Sequence, residues 1–114
     1  MITVDANKNI TMTRGDTFHG KLTLKKDNVA YTPQEGDVVR FALAHRYKGE
    51  NGYKLILTKV IQFDGANGTF TIDSYETAGL KYGTYQYDIE VVYADGTVET
   101  FANEKKFILT KEVA

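Results

Sequence analysis

Between Tyr85 and Tyr93 every second residue is large and apolar or aromatic: Tyr85, Tyr87, Ile89, Val91, Tyr93. Gln86, Asp88, Glu90 and one apolar residue, Val92, fill the gaps. This period of two belongs to a strand with one buried and one wet face. Ala94-Asp95-Gly96-Thr97 follows, and Asp-Gly favours a tight hairpin turn. A long strand feeding a hairpin is therefore fixed near the end of the chain.

The same alternation recurs upstream. Asn9 to Thr13, Thr17 to Leu24, Val38 to Ala44, Tyr53 to Ile61 and Thr69 to Asp73 read as strands. Val29-Ala30-Tyr31 is a short strand at most, and the first residues through Val4 offer an edge strand. Lys25 to Asn28, Thr32 to Asp37, Asn51-Gly52 and Asp64 to Gly68 read as turns or loops. Gly20 falls on the apolar parity of its strand, which marks a bulge or the close approach of another backbone. Tyr53 to Ile61 mixes parities, with Leu55, Leu57 and Ile61 on one and Ile56 and Val60 on the other. A second apolar face is the consequence. Phe101, Phe107 and Leu109 share a parity that Asn103 and Lys105 interrupt, so a bulge is expected near Asn103. Seven to eight strands at spacings of about 10 residues, with no helix to cross over a parallel sheet, are the pattern of an all-β sandwich or barrel rather than of βαβ units. A tyrosine corner at Leu80 to Tyr85 narrows the expectation to an immunoglobulin-like antiparallel β-sandwich. One helical turn is expected near 74–80, with Ser74 in a capping role, although Asp73 with Glu76 has the better capping-box spacing.

The 114 residues fit one domain, 1–114, and 42% hydrophobic with 25% charged residues is ordinary globular usage. A net charge of -1, with no like-charge run beyond two residues, argues against nucleic acid and against a polybasic membrane patch. No cysteine is present, which excludes disulfides and thiolate chemistry. No apolar run approaches the roughly 18 residues of a span, and Met1 to Asp5 is not a signal peptide.

Leu80, Tyr82, Gly83 and Tyr85 form a structural corner. In immunoglobulin-like sandwiches a tyrosine near the start of the penultimate strand bonds back to upstream backbone and fixes the crossing between sheets. Tyr82 and Tyr85 are both placed for this, and Tyr85 is preferred.

Five segments carry a resemblance. They are Met12 to Phe18, Tyr31 to Phe41, Gly83 to Glu90, Thr100-Phe101 and Phe107 to Val113. Together they resemble small phage and prophage proteins of Gram-positive bacteria, among them the immunoglobulin-like N-terminal domain of the phage baseplate upper protein. The resemblance implies a tail or baseplate setting, other tail or baseplate proteins as partners, and location in the virion tail if phage-encoded or in the bacterial cytoplasm otherwise. The fibre-building and receptor-protein-holding roles of longer family members are not expected of a chain ending at Ala114.

Little chemistry remains. Arg14-Gly15-Asp16 reads as a turn rather than an integrin ligand. His19 and His45 read as solvated surface residues. Ser74, the sole serine, lacks a nucleophile elbow. Asp64, Asn67 and Asp73 lack the spacing of a calcium loop, and no metal or cofactor is implied. The leading expectation is a non-enzymatic module acting by protein–protein contact, with homo-oligomerisation open. A second reading is a carbohydrate-binding module using Tyr47, Tyr53 and Tyr75. A third is a small glycoside hydrolase using Asp88 and Glu90, which share one face of their strand.

Overall fold

The computed structural model describes residues 2–4, 8–46 and 53–111, with backbone alone at 2–4, 46, 53, 103 and 104. Eleven strands and one helix are described. They are β1 (Ile2–Val4), β2 (Ile10–Thr13), β3 (Phe18–Leu22), β4 (Leu24–Lys26), β5 (Val29–Tyr31), β6 (Val38–Arg46), β7 (Tyr53–Val60), β8 (Gln62–Asp64), β9 (Asn67–Ile72), α1 (Ser74–Ala78), β10 (Gly83–Val92) and β11 (Val98–Thr110). The larger sheet has the order β1-β2-β11-β10-β6-β7, the smaller has β3-β9-β8, and β4 pairs with β5 alone. The chain is an all-β sandwich of two main layers.

The strand count exceeds the seven to eight that spacing predicts, because two long runs are interrupted. Thr17 to Leu24 breaks at Thr23, so its end becomes β4 and pairs with β5 across a turn at Asp27 and Asn28. Both turn residues have positive φ, 52° and 64°, which suits a two-residue turn of mirror-image type. Lys25 and Lys26 therefore lie in a strand and not in the turn. The sheet is also not wholly antiparallel: β2 runs parallel to β11, with Ile10 opposite Phe107 and Met12 opposite Leu109.

The central strand is β10, between β11 and β6. Tyr85, Tyr87, Ile89 and Val91 are buried, and Gln86, Asp88, Glu90 and Val92 are half-buried. The hairpin after it closes through Gly96 N–H to Tyr93 C=O and Tyr93 N–H to Thr97 C=O, each 2.8 Å, with Gly96 at φ 90°. Two register shifts lie on β11: Tyr87 pairs with Lys105, Ile89 with Ala102 and Glu90 with Thr100. The irregularity expected near Asn103 falls between these partners. The Asn51-Gly52 hairpin signal lies outside the described residues.

A third shift explains the mixed parity of Tyr53 to Ile61. Leu43 pairs with Leu57 and Ala44 with Leu55, so Ile56 is the extra residue of a bulge. Ile56 and Leu57 both pack against the core, while Leu55 is 60% and Val60 53% exposed. The parity grouping of Leu55 with Leu57 and Ile61 is thus corrected: the bulge turns Leu55 outward.

Asp73, not Ser74, caps α1, and the Glu76 carboxylate accepts the Asp73 backbone N–H at 3.0 Å. Ser74 is the first residue inside the helix and is exposed. Glu76 also pairs with Lys59 of β7 at 2.5 Å. Burial opposes its charge, but Lys59 and the Asp73 N–H outweigh that and hold its carboxyl below the usual value.

One cluster of buried side chains fills the space between the layers. At its centre Phe41 stacks on Phe70 of the smaller sheet at 4.8 Å and on Tyr87 of β10 at 5.0 Å. Gly20 serves this stack. A Cβ there would lie 2.3 Å from Phe70 Cε1 and 2.8 Å from Phe18 Cε1. Aromatic rings approach Gly20, not the backbone of another strand. Gly20→Ala should therefore destabilise the fold by about 1–3 kcal/mol through overpacking, read from urea unfolding; an unchanged midpoint would contradict the crowding.

Candidate functional site

The corner before β10 is built from four segments. Tyr85, 5% exposed, donates its hydroxyl to Lys81 C=O at 2.7 Å. This latches the segment between α1 and β10 over four residues. Tyr82 is 42% exposed and lies under the Arg14 guanidinium, 4.2 Å from its ring centroid. Arg14 also donates to Leu80 C=O at 3.1 Å, and Gly15 N–H donates to the Thr77 hydroxyl at 3.1 Å. Gly83 opens β10 at φ 141°. Thus Leu80, Tyr82, Gly83 and Tyr85 are brought together, and the Arg14-Gly15-Asp16 turn is stitched onto them. Arg14 is committed to the corner by two contacts, which leaves no extended tripeptide for an integrin.

A second cluster joins strands distant in sequence. The Tyr31 hydroxyl donates to Asp37 Oδ2 at 2.8 Å, and the same carboxylate accepts backbone N–H groups of Gln34 and Ala94 at 2.9 and 3.1 Å. Tyr93 donates to Glu99 at 2.8 Å, and Lys26 approaches Glu99 at 3.4 Å over the Tyr93 ring. The Tyr31 ring meets Tyr93 edge-on at 6.2 Å and Phe101 at 6.0 Å. The bond to Asp37, then burial, pushes Tyr31 up to about 12. The Gln34 N–H first and the Tyr31 hydroxyl second hold Asp37 below its usual value. The Tyr93 hydroxyl does the same for Glu99. Lys26 and Glu99 are half exposed, so their pairing contributes little. These groups tie the β4–β5 hairpin to the β10–β11 end. Sequence offered no signal for them beyond aromatic content, since Lys26 and Glu99 lie 73 positions apart.

The outer face of the larger sheet holds the remaining candidates. Glu90 pairs with Arg40 on β6 at 2.6 Å, directly across the ladder. Asp88 lies one step along, opposite Ala42. The two carboxylates share a face as the hydrolase reading requires, but Glu90 is engaged by a cation. Two covered polar atoms here, Arg40 Nε and Gln86 Oε1, have no hydrogen-bond partner among the described residues. At the hairpin end of this face three valines stand side by side on neighbouring strands: Val92 of β10 pairs with Val98 of β11 and with Val38 of β6. Val98 is 53% and Val38 40% exposed. Val60 of β7, paired with Arg40, continues the row diagonally. Beside it a shallow depression of about 340 Å³ lies between the 33–37 loop and residues 60–63, with Val38 and Val60 on its wall. Further along, Ala42 and Ala44 keep the middle of β6 low, and Leu55 stands beyond them. Sequence marked Val92 as the off-pattern residue, yet only the register aligns it with Val38 and Val98.

Other sequence candidates scatter. His19 is exposed and within 3.3 Å of the Thr71 hydroxyl. His45 is not a solvated surface residue: β6 extends through it on the inward parity, and its ring packs on Tyr85 at 5.0 Å. Asp64 and Asn67 close the β8–β9 hairpin, whereas Asp73 caps α1. Tyr75 is 75% exposed on α1. Tyr47 and the Tyr53 side chain lie outside the described residues. No three His, Cys, Asp or Glu among the described residues gather as metal ligands, and no described helix is long and apolar enough to cross a membrane.

The fold and these sites define an all-β sandwich with an aromatic latch and an exposed, valine-bearing sheet face. The chain matches no protein-family model and no curated protein.

Two outcomes test the local geometry. Tyr85→Phe should cost about 1–2 kcal/mol, because it orphans a backbone carbonyl; an unchanged midpoint in chemical denaturation would contradict the latch. Tyr31→Phe should be less stable than the parent on a plateau of pH. The depressed Asp37 pKa stabilises above its ordinary 3.8 and is lost as pH falls through the lower folded value. The raised Tyr31 pKa stabilises below 10.0 and is lost as pH rises toward about 12. The gap between variant and parent should narrow at both ends; a gap that stays constant as pH rises from 10.0 toward about 12 would count against the pair.

Proposed function

We propose that this chain is a non-enzymatic interaction module whose contact surface is the outer face of the six-stranded sheet. The observation that carries this is the row of valines at 98, 92 and 38, continued by Val60, on the face that an isolated sandwich turns to water. Exposed apolar residues are ordinary when scattered, whereas aligned ones beside polar residues mark contact sites. The Arg40–Glu90 pair and the half-buried Gln86 supply polar neighbours for the row. Arg40 engagement of Glu90 favours contact over hydrolysis, since a catalytic carboxylate pair needs both members directed at a substrate.

The phage or prophage tail or baseplate setting implied by the sequence resemblance suits such a module, because those assemblies are built from stacked protein contacts. The partners on this reading are proteins of the same particle, including further copies of the chain. A double variant, Val38→Asp with Val98→Asp, should weaken association with tail proteins encoded beside it and with itself by at least about tenfold, equivalent to about 1.4 kcal/mol. Lys21→Asp, on the exposed side of β3 in the other layer, should change nothing. Co-elution that survives the valine changes in a chain of unaltered circular dichroism would place the working surface elsewhere.

A further inference from the structure

We propose that the outer face of the six-stranded sheet binds a second copy of this chain, about a twofold axis running along the strands midway between β6 and β10. The inference rests on reading that face as the contact surface, and it adds the occupant.

The register makes the face self-complementary. Across β10 and β6 the outward pairs are Val92 with Val38, Glu90 with Arg40, Asp88 with Ala42 and Gln86 with Ala44. A twofold axis between these strands brings each member of a pair over the other member's counterpart in the second copy. Val92 then covers Val38, and Glu90 covers Arg40, each twice. Asp88 covers Ala42, one step from the same arginine. Both signs of the charge pair and both halves of the apolar row are present on one surface, as an isologous contact demands. Of the side chains that meet, Arg40 is 42% and Glu90 30% exposed, so each can reach across as well as sideways. Ala42 and Ala44 lower the middle of the face and let two sheets approach to the usual spacing of about 10 Å. Toward the rims Thr100 lies over Val60, and Lys106 lies over Leu55, both from registers on β11 and β7.

Edge-to-edge extension of the sheet is the rival arrangement. Of the two outer strands of the larger sheet, β1 spans only three residues, and β7 carries a bulge at Ile56 and lysines at 54 and 59, all devices that blunt an edge. Face-to-face packing is what remains. The footprint spans four strands, roughly 20 Å by 20 Å, about half of the roughly 800 Å² per partner of a standard interface, which places the contact among weak, transient ones. The pair should therefore be reversible, with a dissociation constant on the order of 10–100 µM.

Sedimentation velocity of the purified chain between roughly 10 and 500 µM spans that constant. A concentration-dependent shift from monomer to dimer is expected. Arg40→Glu alone and Glu90→Arg alone should each be monomeric, since like charges then meet across the axis. An equimolar mixture of the two should recover the dimer, because each variant supplies the sign that the other lacks. A purely structural role of the pair within one chain gives no such recovery. Ala42→Glu, which leaves the Arg40–Glu90 pair in place and sets a second carboxylate over Asp88 of the other copy, should reduce dimer at least tenfold. A monomer throughout the range, undiminished dimer in Ala42→Glu, or a mixture that stays monomeric while both variants keep the parent's circular dichroism would overturn the second-copy assignment. Loss of heterologous binding in the valine variant alongside a strictly monomeric parent would leave the contact face standing and remove only this occupant.

Discussion

Phe41 lies flat between Phe70 from one layer and Tyr87 from the other side of its own ladder, and nearly everything else is arranged to permit that stack. The ring of Phe70 occupies the space where a side chain on Gly20 would begin. Phe107 reaches the same ring edge-on at 6.3 Å, which brings the last strand into the contact. Four strands and both layers thus converge on one phenyl group. Such a core tolerates little change of volume, because close-packed interiors have few gaps to absorb it. With the centre fixed, the sheet faces cannot rotate relative to one another. The outer rows of β6 and β10 inherit their positions from the inner ones.

The corner shows how tertiary structure is fixed from a short segment. Tyr85 begins the buried row of β10, and its hydroxyl returns to Lys81 before the strand starts. The ring contributes burial and the oxygen contributes direction, which is why a tyrosine serves where phenylalanine would leave a carbonyl without a donor. Arg14 then brings the β2–β3 turn to the same place through Leu80 and the face of Tyr82. Two sheets meet there without a disulfide, in a chain that has no cysteine.

What could be read from sequence followed the range of the interaction. The alternation of β10, its Asp95-Gly96 turn and the Tyr85 corner depend on residues a few positions apart, and each left a pattern. The bulge at Ile56 did not announce itself, because an inserted residue reverses parity and a period of two then assigns Leu55 to the wrong face. His45 was misplaced for a related reason: a polar side chain on the inward parity looks like the end of a strand. The parallel pairing of β2 with β11 and the Tyr31–Asp37 and Lys26–Tyr93–Glu99 contacts join distant segments, so no local spacing encodes them. The valine row is intermediate. Val38 and Val92 were visible off the buried parity, but alignment across three strands is a property of register.

The parallel pairing of β2 and β11 has a mechanical meaning. Tension applied through the two ends of the domain enters at Ile10 and leaves at Thr110, on adjacent strands that point the same way. The two strands are then pulled past each other lengthwise, and their shared hydrogen bonds bear the load together. An antiparallel terminal pair would open one bond at a time, like a zipper. Among the described residues β1 lies along the outer edge of β2, outside this sheared pair. Resistance to pulling is set by the rate of unfolding rather than by equilibrium stability. This topology therefore makes a sandwich of ordinary size into a stiff link along its own chain axis.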